Sequence, residues 1–255
     1  MTMYSLSVVI PAFNEEPNVG AALKRVSDVL QTLNLDSEII LVNDGSRDRT
    51  GEIAKSLVGE IPHLKVVEHF PNRGYGGALK AGYAAATKDL ITFVPSDNQF
   101  DFNEIRLLLS KIDNADIVTG YRAHRVDPLI RKINGFGWNS VVRLLFGYLA
   151  RDIDCGFKLF RRDLLNHITI LSNGAMIDTE FLAEARARGY RIAEVPVTHL
   201  PRVAGHPTGA NLQVIVRAFR DLFKFRLRLW RELREEKESA ATQTRGEREK
   251  KSPIG

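Results

Sequence analysis

The 255-residue sequence contains one cysteine, Cys155, and no long apolar run. A single cysteine excludes an internal disulfide and a multi-cysteine metal cluster, and it is typical of proteins from a reducing compartment. A membrane-spanning helix needs roughly 18 or more consecutive apolar residues, and residues 1–13 lack the basic-then-apolar order of a signal peptide. From these absences we expect a cytoplasmic chain without a membrane span.

Motifs of common hydrolases and metal enzymes are also missing. The histidines show no H-E-x-x-H spacing, and no G-x-S-x-G nucleophile elbow occurs. Cys155 lies in the stretch 152–157 without an evident activating base, so we interpret it as a small packing residue and not as a nucleophile. The sequence therefore gives no support to serine or cysteine hydrolase chemistry.

The excess of positive charge is confined to one short segment. The formal net charge is +5, and residues 214–234 alone carry seven basic and two acidic side chains, which accounts for the whole excess. A nucleic-acid-binding protein more usually spreads basic residues over a docking face and interleaves aromatic ones. We therefore expect no nucleic-acid partner.

The basic segment from Val214 to Arg234 has the pattern of an amphipathic helix. One side of the helical wheel carries the apolar residues Ile215, Phe219, Leu222, Phe223, Leu229, Trp230 and Leu233. A cationic helix with an aromatic apolar face is typical of attachment in the plane of a membrane surface. The alternative is a helix that packs on the protein's own core. Residues 235–255 are highly charged and nearly free of large apolar groups, which predicts disorder.

The first two hundred residues alternate short apolar runs with helical patterns, which predicts an α/β fold with a mostly parallel sheet. A helix is expected from Pro17 onward, with apolar residues at spacings of three and four. The predicted strands are Leu6–Ile10, Ile39–Val42, Leu64–Val67, Leu90–Val94, Ile117–Thr119 and a stretch near Ile192–Val195.

Polar clusters follow three of these predicted strands, at 11–15, 43–46 and 96–99. In an open parallel sheet, ligands bind in the crevice outside the carboxyl ends of the strands. Turns favour the same residue types, so one cluster alone would carry little information. Three clusters in series predict a polar cleft.

Two motifs in this region each allow two interpretations. Asp97 and Gln99 carry oxygen donors of the kind that Mg²⁺ and Mn²⁺ prefer, but an aspartate at this position can instead bond its own turn backbone. Gly74–Gly77 precedes an alanine-rich helical stretch, where glycines can admit a phosphate to free N–H groups. The pattern matches neither G-x-G-x-x-G nor a P-loop, so we favour a tight turn.

With these residues in view, the chain resembles the inverting family 2 glycosyltransferases of the GT-A fold, and among them the dolichyl- and polyprenyl-phosphate mannosyl- and glucosyltransferases. The matching stretches occur in the family's order over about residues 5–210. They are Val8–Glu15, Val42–Ser46, Asn72–Ala78, Ser96–Gln99 and Asp152–Phe160. The resemblance implies a GT-A domain at 1–212, with its Rossmann-like sheet flanked by helices, followed by the amphipathic helix at 213–234 and the tail at 235–255.

The resemblance also implies roles for individual residues. Asp97 and Gln99 would hold the metal on the sugar diphosphate, Arg122 and Arg131 would lie near the phosphates, and Asp152 would lie near the sugar. Arg202, in an R-x-x-G segment, would meet the phosphate of the acceptor. The residues expected to bind the donor nucleotide are Pro11, Ala12, Phe13, Glu15, Asp44, Ser96 and Asp97.

Two positions depart from the family pattern. Pro95 stands where the first aspartate of D-x-D is expected, so the metal site has one carboxylate fewer, and Asn43 replaces the first aspartate of D-D-G-S. A single carboxylate with a glutamine is sufficient if the diphosphate supplies the remaining charge.

The resemblance predicts transfer of a hexose from a nucleotide-diphosphate sugar, GDP-mannose or UDP-glucose, to a polyprenyl phosphate at the inner membrane face, with Mg²⁺ or Mn²⁺ as cofactor. A phosphate acceptor is already ionised at neutral pH, so Asp152 is expected to orient the sugar; a hydroxyl acceptor would require it as a base. Two alternatives stay open: a soluble family 2 glycosyltransferase acting on a saccharide or small hydroxyl acceptor, and a non-catalytic sugar-nucleotide-binding protein.

Overall fold

The computed structural model describes residues 4–123, 129–201 and 212–251, without the side chains at 129–134, 212–218 and 240–251. The chain divides into two compact units, Met1–Pro207 and Thr208–Gly255. The first unit contains β1 (Leu6–Ala12), α1 (Glu16–Leu33), β2 (Ser37–Asn43), α2 (Thr50–Ser56), β3 (Leu64–Glu68), α3 (Tyr75–Ala85), β4 (Leu90–Phe93), α4 (Ile105–Leu109), β5 (Ile117–Arg122), α5 (Leu129–Phe146), β6 (Lys158–Arg161), α6 (Ile177–Ala187) and β7 (Ile192–Val197). The second unit contains α7 (Leu212–Lys251).

The seven strands form one sheet in the order β3-β2-β1-β4-β6-β5-β7. Strand β6 pairs antiparallel with both β4 and β5, and the other neighbouring pairs are parallel. The prediction of a mostly parallel sheet is confirmed. All six predicted strands are present, whereas β6 was not among them.

Strand β1 runs through Pro11 to Ala12, two residues beyond the end of the predicted strand Leu6–Ile10. Pairing of β1 with β4 stops at Val9, while pairing with β2 continues as far as Ala12. Pro11 is therefore paired on one side only, and the sheet tolerates a residue that cannot donate a ladder hydrogen bond there.

Helices cover both faces of the sheet. On one face, Val19, Leu23 and Leu30 of α1 join Val8 of β1 in the main hydrophobic core, as the spacing of apolar residues predicts. On the other face, α3 packs closely on β1, because a Cβ at Gly82 would lie 2.2 Å from the Val9 side chain. Because side chains along each strand alternate between the two faces of the sheet, they pack against helices on both sides.

This arrangement places the candidate functional residues at one edge of the sheet. The carboxyl ends of β1 to β5 and β7 lie at the same edge because these strands run in the same direction. Strand β6 runs the opposite way, so its first residue, Lys158, lies beside Phe93 and Thr119 near that edge. Polar residues that follow the parallel strands therefore meet those that precede β6.

The helix expected at 213–234 is present as α7, which begins at Leu212 and continues to Lys251. Its expected apolar face is divided, because Leu222 and Leu229 are buried whereas Phe223 and Trp230 are exposed. The helix thus includes 235–251, part of the segment expected to be disordered. Ion pairs one turn apart support it, at 3.4 Å between Arg228 and Glu232 and 2.8 Å between Arg234 and Glu238. Among the residues that the structure describes, no helix combines the length and apolarity needed to cross a bilayer.

Candidate active site

The ends of β1 and β4 are joined directly. The buried Ser96 hydroxyl donates to the Pro11 carbonyl oxygen at 3.0 Å. Phe13 lies just beyond β1 and is 44% exposed, while the Glu15 carboxylate accepts a hydrogen bond from the Asn18 amide at 2.6 Å. The exposed ring of Phe13 is a flat apolar surface of the kind that can stack on a nucleotide base.

Asp44, expected to line the donor pocket, is buried and holds the segment that precedes α3. Its Oδ1 lies 2.8 Å from His69 Nδ1 and accepts the Arg73 N–H at 3.0 Å, and its Oδ2 accepts the Gly74 N–H at 2.8 Å. The observed partners of this carboxylate are protein groups, so a direct contact with a donor nucleotide stays a prediction.

The glycines at the start of α3 serve a close backbone approach. A Cβ at Gly74 would lie 2.6 Å from the Asn173 carbonyl oxygen, and a Cβ at Gly76 would lie 2.7 Å from that of Ser172. The Gly76 N–H donates to the Asn173 carbonyl at 2.9 Å. The loop at 172–173 therefore packs against the N-terminal end of α3, and the glycines allow this close contact. This agrees with the interpretation of Gly74–Gly77 as a tight turn.

Asp97 and Gln99 lie in the turn after β4, and both are half-buried. The Gln99 N–H donates to Asp97 Oδ1 at 3.2 Å, so the aspartate does bond its own turn. The Gln99 side-chain amide donates to the Leu200 carbonyl at 3.2 Å, which fixes the orientation of this side chain. The turn therefore holds both candidate metal ligands in defined positions.

The chemistry of these donors fits a hard divalent cation. The carboxylate oxygens of Asp97 and the amide oxygen of Gln99 are the ligand type that Mg²⁺ and Mn²⁺ prefer. No group of three or more His, Cys, Asp or Glu side chains in the described ranges could hold a metal by itself. A cation here would therefore take its remaining ligands from a diphosphate and water.

Arg122 and Asp152 are brought together at the end of β5. The guanidinium donates to both carboxylate oxygens, from Nε at 2.6 Å and from Nη2 at 2.7 Å, and the Arg122 backbone N–H donates at 3.2 Å. Both side chains are largely buried. A bidentate pair of this kind fixes the plane of the guanidinium as well as its position.

Two predicted residues are not located in this detail. Arg131 lies in α5, but its side chain is outside the described residues, and Arg202 lies outside them altogether. Their expected contacts with phosphates stay predictions.

Sequence reasoning missed a second charged group beside Asp152. Lys158 is fully buried, and its Nζ lies 2.6 Å from Asp178 Oδ1 and also donates to the Cys155 carbonyl. Burial raises the pKa of Asp178, while the nearby Lys158 charge opposes that shift. The available signal was a lysine placed two residues after Gly156 at the start of a strand, but no spacing in the sequence links it to Asp178.

Asp154 was also missed, although it lies two residues after Asp152. Its side chain is open to solvent. Desolvation by the surrounding protein, and then the negative charge of Asp178, raise the pKa of its carboxyl to about 6. A carboxyl whose pKa is raised in this way, next to the other candidate site residues, is itself a candidate functional group.

Cys155 is fully buried in the same segment, and burial raises the pKa of its thiol to about 12. The thiol stays protonated at neutral pH, which agrees with the interpretation of Cys155 as a packing residue.

Comparisons with known proteins agree with this geometry. The family model described as "Glycosyl transferase family 2" matches residues 7–169. The dolichyl-phosphate beta-glucosyltransferase of Dictyostelium discoideum is 31% identical over 252 residues, covering 89% of this chain and 76% of the relative. The dodecaprenyl-phosphate galacturonate synthase of Rhizobium johnstonii is 32% identical over 204 residues, covering 78% of this chain and 60% of the relative.

Solved structures of glucosyl-3-phosphoglycerate synthase from Mycobacterium tuberculosis share the fold. The complex with Mg²⁺ and uridine diphosphate has a TM-score of 0.67 at 20% identity, covering 89% of this chain and 79% of the other. A complex with Mn²⁺, uridine-diphosphate-glucose and glycerol 3-phosphate has a TM-score of 0.63 at 21% identity, covering 89% and 80%. The expected GT-A architecture is confirmed. Because the family model matches residues 7–169, which is more than half of its length, the chain belongs to glycosyltransferase family 2.

Proposed function

We propose that this glycosyltransferase moves a hexose, mannose or glucose, from a nucleotide-diphosphate sugar to a polyprenyl phosphate, with inversion at the sugar. Relatives at 31% and 32% identity bear names of transferases that use dolichyl or dodecaprenyl phosphate. The family match supports the transferase class, and the geometry of the site supports the type of acceptor.

The observation that carries the proposal is the pairing of Asp152 with Arg122. Both carboxylate oxygens are engaged by the guanidinium at 2.6 and 2.7 Å, so this aspartate is poorly placed to remove a proton. An acceptor phosphate is already ionised at neutral pH and needs no base. Asp152 therefore acts by holding Arg122 and by orienting the sugar.

The barrier to transfer includes the charge that develops on the departing diphosphate. Asp97 and Gln99 would hold a Mg²⁺ or Mn²⁺ ion, which when bound would neutralise part of this charge. Arg122 contributes a positive charge that is held in place at the end of β5, and Arg131 is proposed to add a second. Such preorganised charges can lower a barrier by several kcal/mol. Arg202 is proposed to bind the acceptor phosphate.

We further propose that α7 attaches the protein to the cytoplasmic face of a membrane. Phe223, Leu227 and Trp230 are exposed and recur at spacings of four and three residues, which places them along one side of this helix. Basic residues interleave with them throughout the segment 214–234. Each basic residue near an anionic surface contributes about 1 kcal/mol to attachment, so the helix would keep the protein at the membrane in which the lipid acceptor lies.

A transfer assay tests the proposed reaction. The purified full chain is incubated with Mg²⁺ or Mn²⁺, with UDP-glucose, UDP-galactose or GDP-mannose, and with either a polyprenyl phosphate or free saccharides. We expect release of nucleoside diphosphate and a sugar-labelled lipid only with the polyprenyl phosphate. Transfer to saccharides without transfer to the lipid phosphate would contradict the proposed acceptor.

Flotation with liposomes tests the attachment. We expect the wild type to float with vesicles containing anionic phospholipid at low salt and to be partly released at high salt. A variant with serine at 223, 227 and 230 should remain in the lipid-free fraction. The matched control replaces the exposed Glu235 and Lys237 with serine, which leaves the net charge unchanged, and it should float like the wild type. If all three proteins stay in the lipid-free fraction when anionic vesicles are present, the membrane role is contradicted.

One observation favours a second candidate, transfer to a hydroxyl acceptor. Asp154 is solvent-open, and the pKa of its carboxyl lies at about 6, which suits a general base near neutral pH. In that reaction Asp154 would take the proton of the attacking hydroxyl, and Asp154→Asn would abolish transfer to saccharides.

A further inference from the structure

Five charged side chains next to the candidate active site comprise two ion pairs and one further carboxylate that belongs to neither pair. Arg122 binds Asp152 through two hydrogen bonds, and Lys158 binds Asp178 at 2.6 Å. Asp154 has neither a hydrogen bond nor an ion pair with any residue in the described parts of the chain. These five side chains therefore carry one uncompensated negative charge when Asp154 is ionised.

The position of Asp154 follows from its neighbours in the segment 152–156. The Cys155 N–H donates to the Asp152 carbonyl at 3.2 Å, which closes a tight turn around Asp154. Gly156 packs on Pro95, since a Cβ there would lie 2.8 Å from the proline ring. Pro95 is two residues from Asp97, so the turn that carries Asp154 lies against the turn that carries the candidate metal ligands.

Other elements of the cleft also meet this turn. The negative charges of Asp178 and Asp154 contribute, after burial, to a raised pKa of the Tyr75 phenol at the start of α3. Asp178 lies in the first turn of α6. Asp154 thus lies near the ends of β4 and β5 and near the beginnings of α3 and α6, and it is exposed to solvent.

We propose that Asp154 is a specificity-determining residue that contacts the transferred sugar, accepts hydrogen bonds from its hydroxyl groups and excludes donors whose sugar carries a carboxylate. This inference rests on the proposed function. A neutral hexose offers several hydroxyl donors to a carboxylate, whereas a uronic acid brings a second negative charge into a site that already has an unpaired one. Like charges a few ångströms apart repel each other, so binding of the second negative charge is disfavoured.

Donor binding to the wild type and to Asp154→Asn tests the inference. The dissociation constants are measured by calorimetry at pH 7.5 with Mn²⁺ for matched pairs: UDP-glucose and UDP-glucuronate, UDP-galactose and UDP-galacturonate, GDP-mannose and GDP-mannuronate. We expect the wild type to prefer the neutral member of the pair it binds by roughly tenfold or more, as electrostatic exclusion at one site allows. In Asp154→Asn this preference should fall by about tenfold, while the affinity for UDP or GDP alone stays unchanged.

Two further variants serve as controls. Asp28→Asn removes an exposed carboxylate from α1 and should keep the wild-type preference. Asp154→Ser removes the charge with a smaller side chain and should lower the preference as Asp154→Asn does. Since Asp154 makes no hydrogen bond with the described residues, we expect both variants at this position to fold, which circular dichroism checks.

The outcomes separate this inference from the proposed function. An unchanged preference in both Asp154 variants overturns the inference alone, and so does equal binding of neutral and uronate donors by the wild type. Loss of turnover with unchanged preference overturns it in favour of a general-base role. If the wild type binds no nucleotide sugar in the panel, the proposed function fails and the inference fails with it.

Discussion

Arg122 and Asp152 are 30 residues apart in sequence and are joined by two hydrogen bonds of 2.6 and 2.7 Å. Helix α5 lies between them in the chain, so this ion pair joins the end of β5 to the segment that follows α5. The same contact fixes the guanidinium that we propose to stabilise the departing diphosphate.

Replacing Asp152 with asparagine should weaken donor binding by roughly tenfold, because Arg122 loses the bidentate partner that fixes its orientation. Turnover at saturating donor should fall much less, since no proton transfer through Asp152 is expected. Calorimetry and steady-state kinetics measure the two effects separately. Near-complete loss of turnover with unchanged donor binding would contradict the orienting role.

Replacing Arg122 with lysine should have a similar effect on donor binding. Lysine keeps the positive charge but cannot present two parallel N–H groups to a carboxylate. We expect a dissociation constant for the donor that is raised by about the same factor as in Asp152→Asn. The double variant should be no worse than either single one, because the two residues act as one unit. Additive losses would show that they act independently.

Replacing Asp97 with asparagine should remove the effect of Mn²⁺ on nucleotide binding. In the wild type we expect Mn²⁺ to strengthen the binding of UDP or GDP, because the only carboxylate that we assign to the cation is that of Asp97. The control is Asp101→Asn, since Asp101 accepts the Asn103 N–H at 3.0 Å in the next turn and is given no metal role. An unchanged metal dependence in Asp97→Asn would rule out the assigned ligand.

Acid should destabilise the fold partly through Glu38. Burial raises the pKa of this carboxyl, but hydrogen bonds from Lys65, Ser7 and Thr87 outweigh burial and lower it from 4.5 to about 2. A pKa that is lower in the folded state gives stability that is present above pH 4.5 and is lost as the pH falls towards 2.

Glu38→Gln should therefore be less stable than the wild type at pH 7, by about 1–3 kcal/mol, because the charged hydrogen bonds are lost. The difference should shrink as the pH is lowered from 5 to 3. Denaturant unfolding at several pH values measures it. Glu60→Gln changes an exposed carboxylate and should follow the wild type at each pH. If the free energy of unfolding of Glu38→Gln changes with pH in parallel with that of the wild type, ionisation of Glu38 does not contribute to acid destabilisation.

Replacing Gly76 with alanine should destabilise the protein by about 1–3 kcal/mol, because a Cβ there meets backbone atoms of 172 and 173 at 2.7 and 2.8 Å. Gly59→Ala is the matched control, since a Cβ at Gly59 meets nothing within 4 Å. Thermal unfolding of both variants measures the contrast. Equal stability of the two would mean that the loop at 172–173 is not pressed against α3.

Much of the fold was predictable from the sequence because strands buried on both faces leave uninterrupted apolar runs. Three such runs are Leu6–Ile10, Ile39–Val42 and Leu90–Val94. The ends of each run agree with those of an observed strand to within two residues. The helix beginning near Pro17 was predictable because only one face of α1 is buried, which leaves a regular spacing of apolar side chains.

The local pattern could not show which distant residues meet. Strand β6 is four residues long, and its sequence includes Lys158, whose burial depends on Asp178 in a later helix. The exposure of Asp154 beside two paired carboxylates depends on the same long-range contacts. The helix through 235–251 was missed because a charged composition predicts disorder, although ion pairs one turn apart, such as Arg234 with Glu238, also favour helix.

The reversed direction of β6 has a consequence for how such a protein can diversify. Because β6 enters the sheet from the edge where the parallel strands end, the segment ahead of it carries both Asp152 and Asp154, the two residues that we propose to act on the sugar. The residues that we propose to bind the nucleotide lie instead at the ends of β1, β2 and β4. Replacing that one segment would therefore change the choice of sugar while the proposed nucleotide-binding residues stay the same.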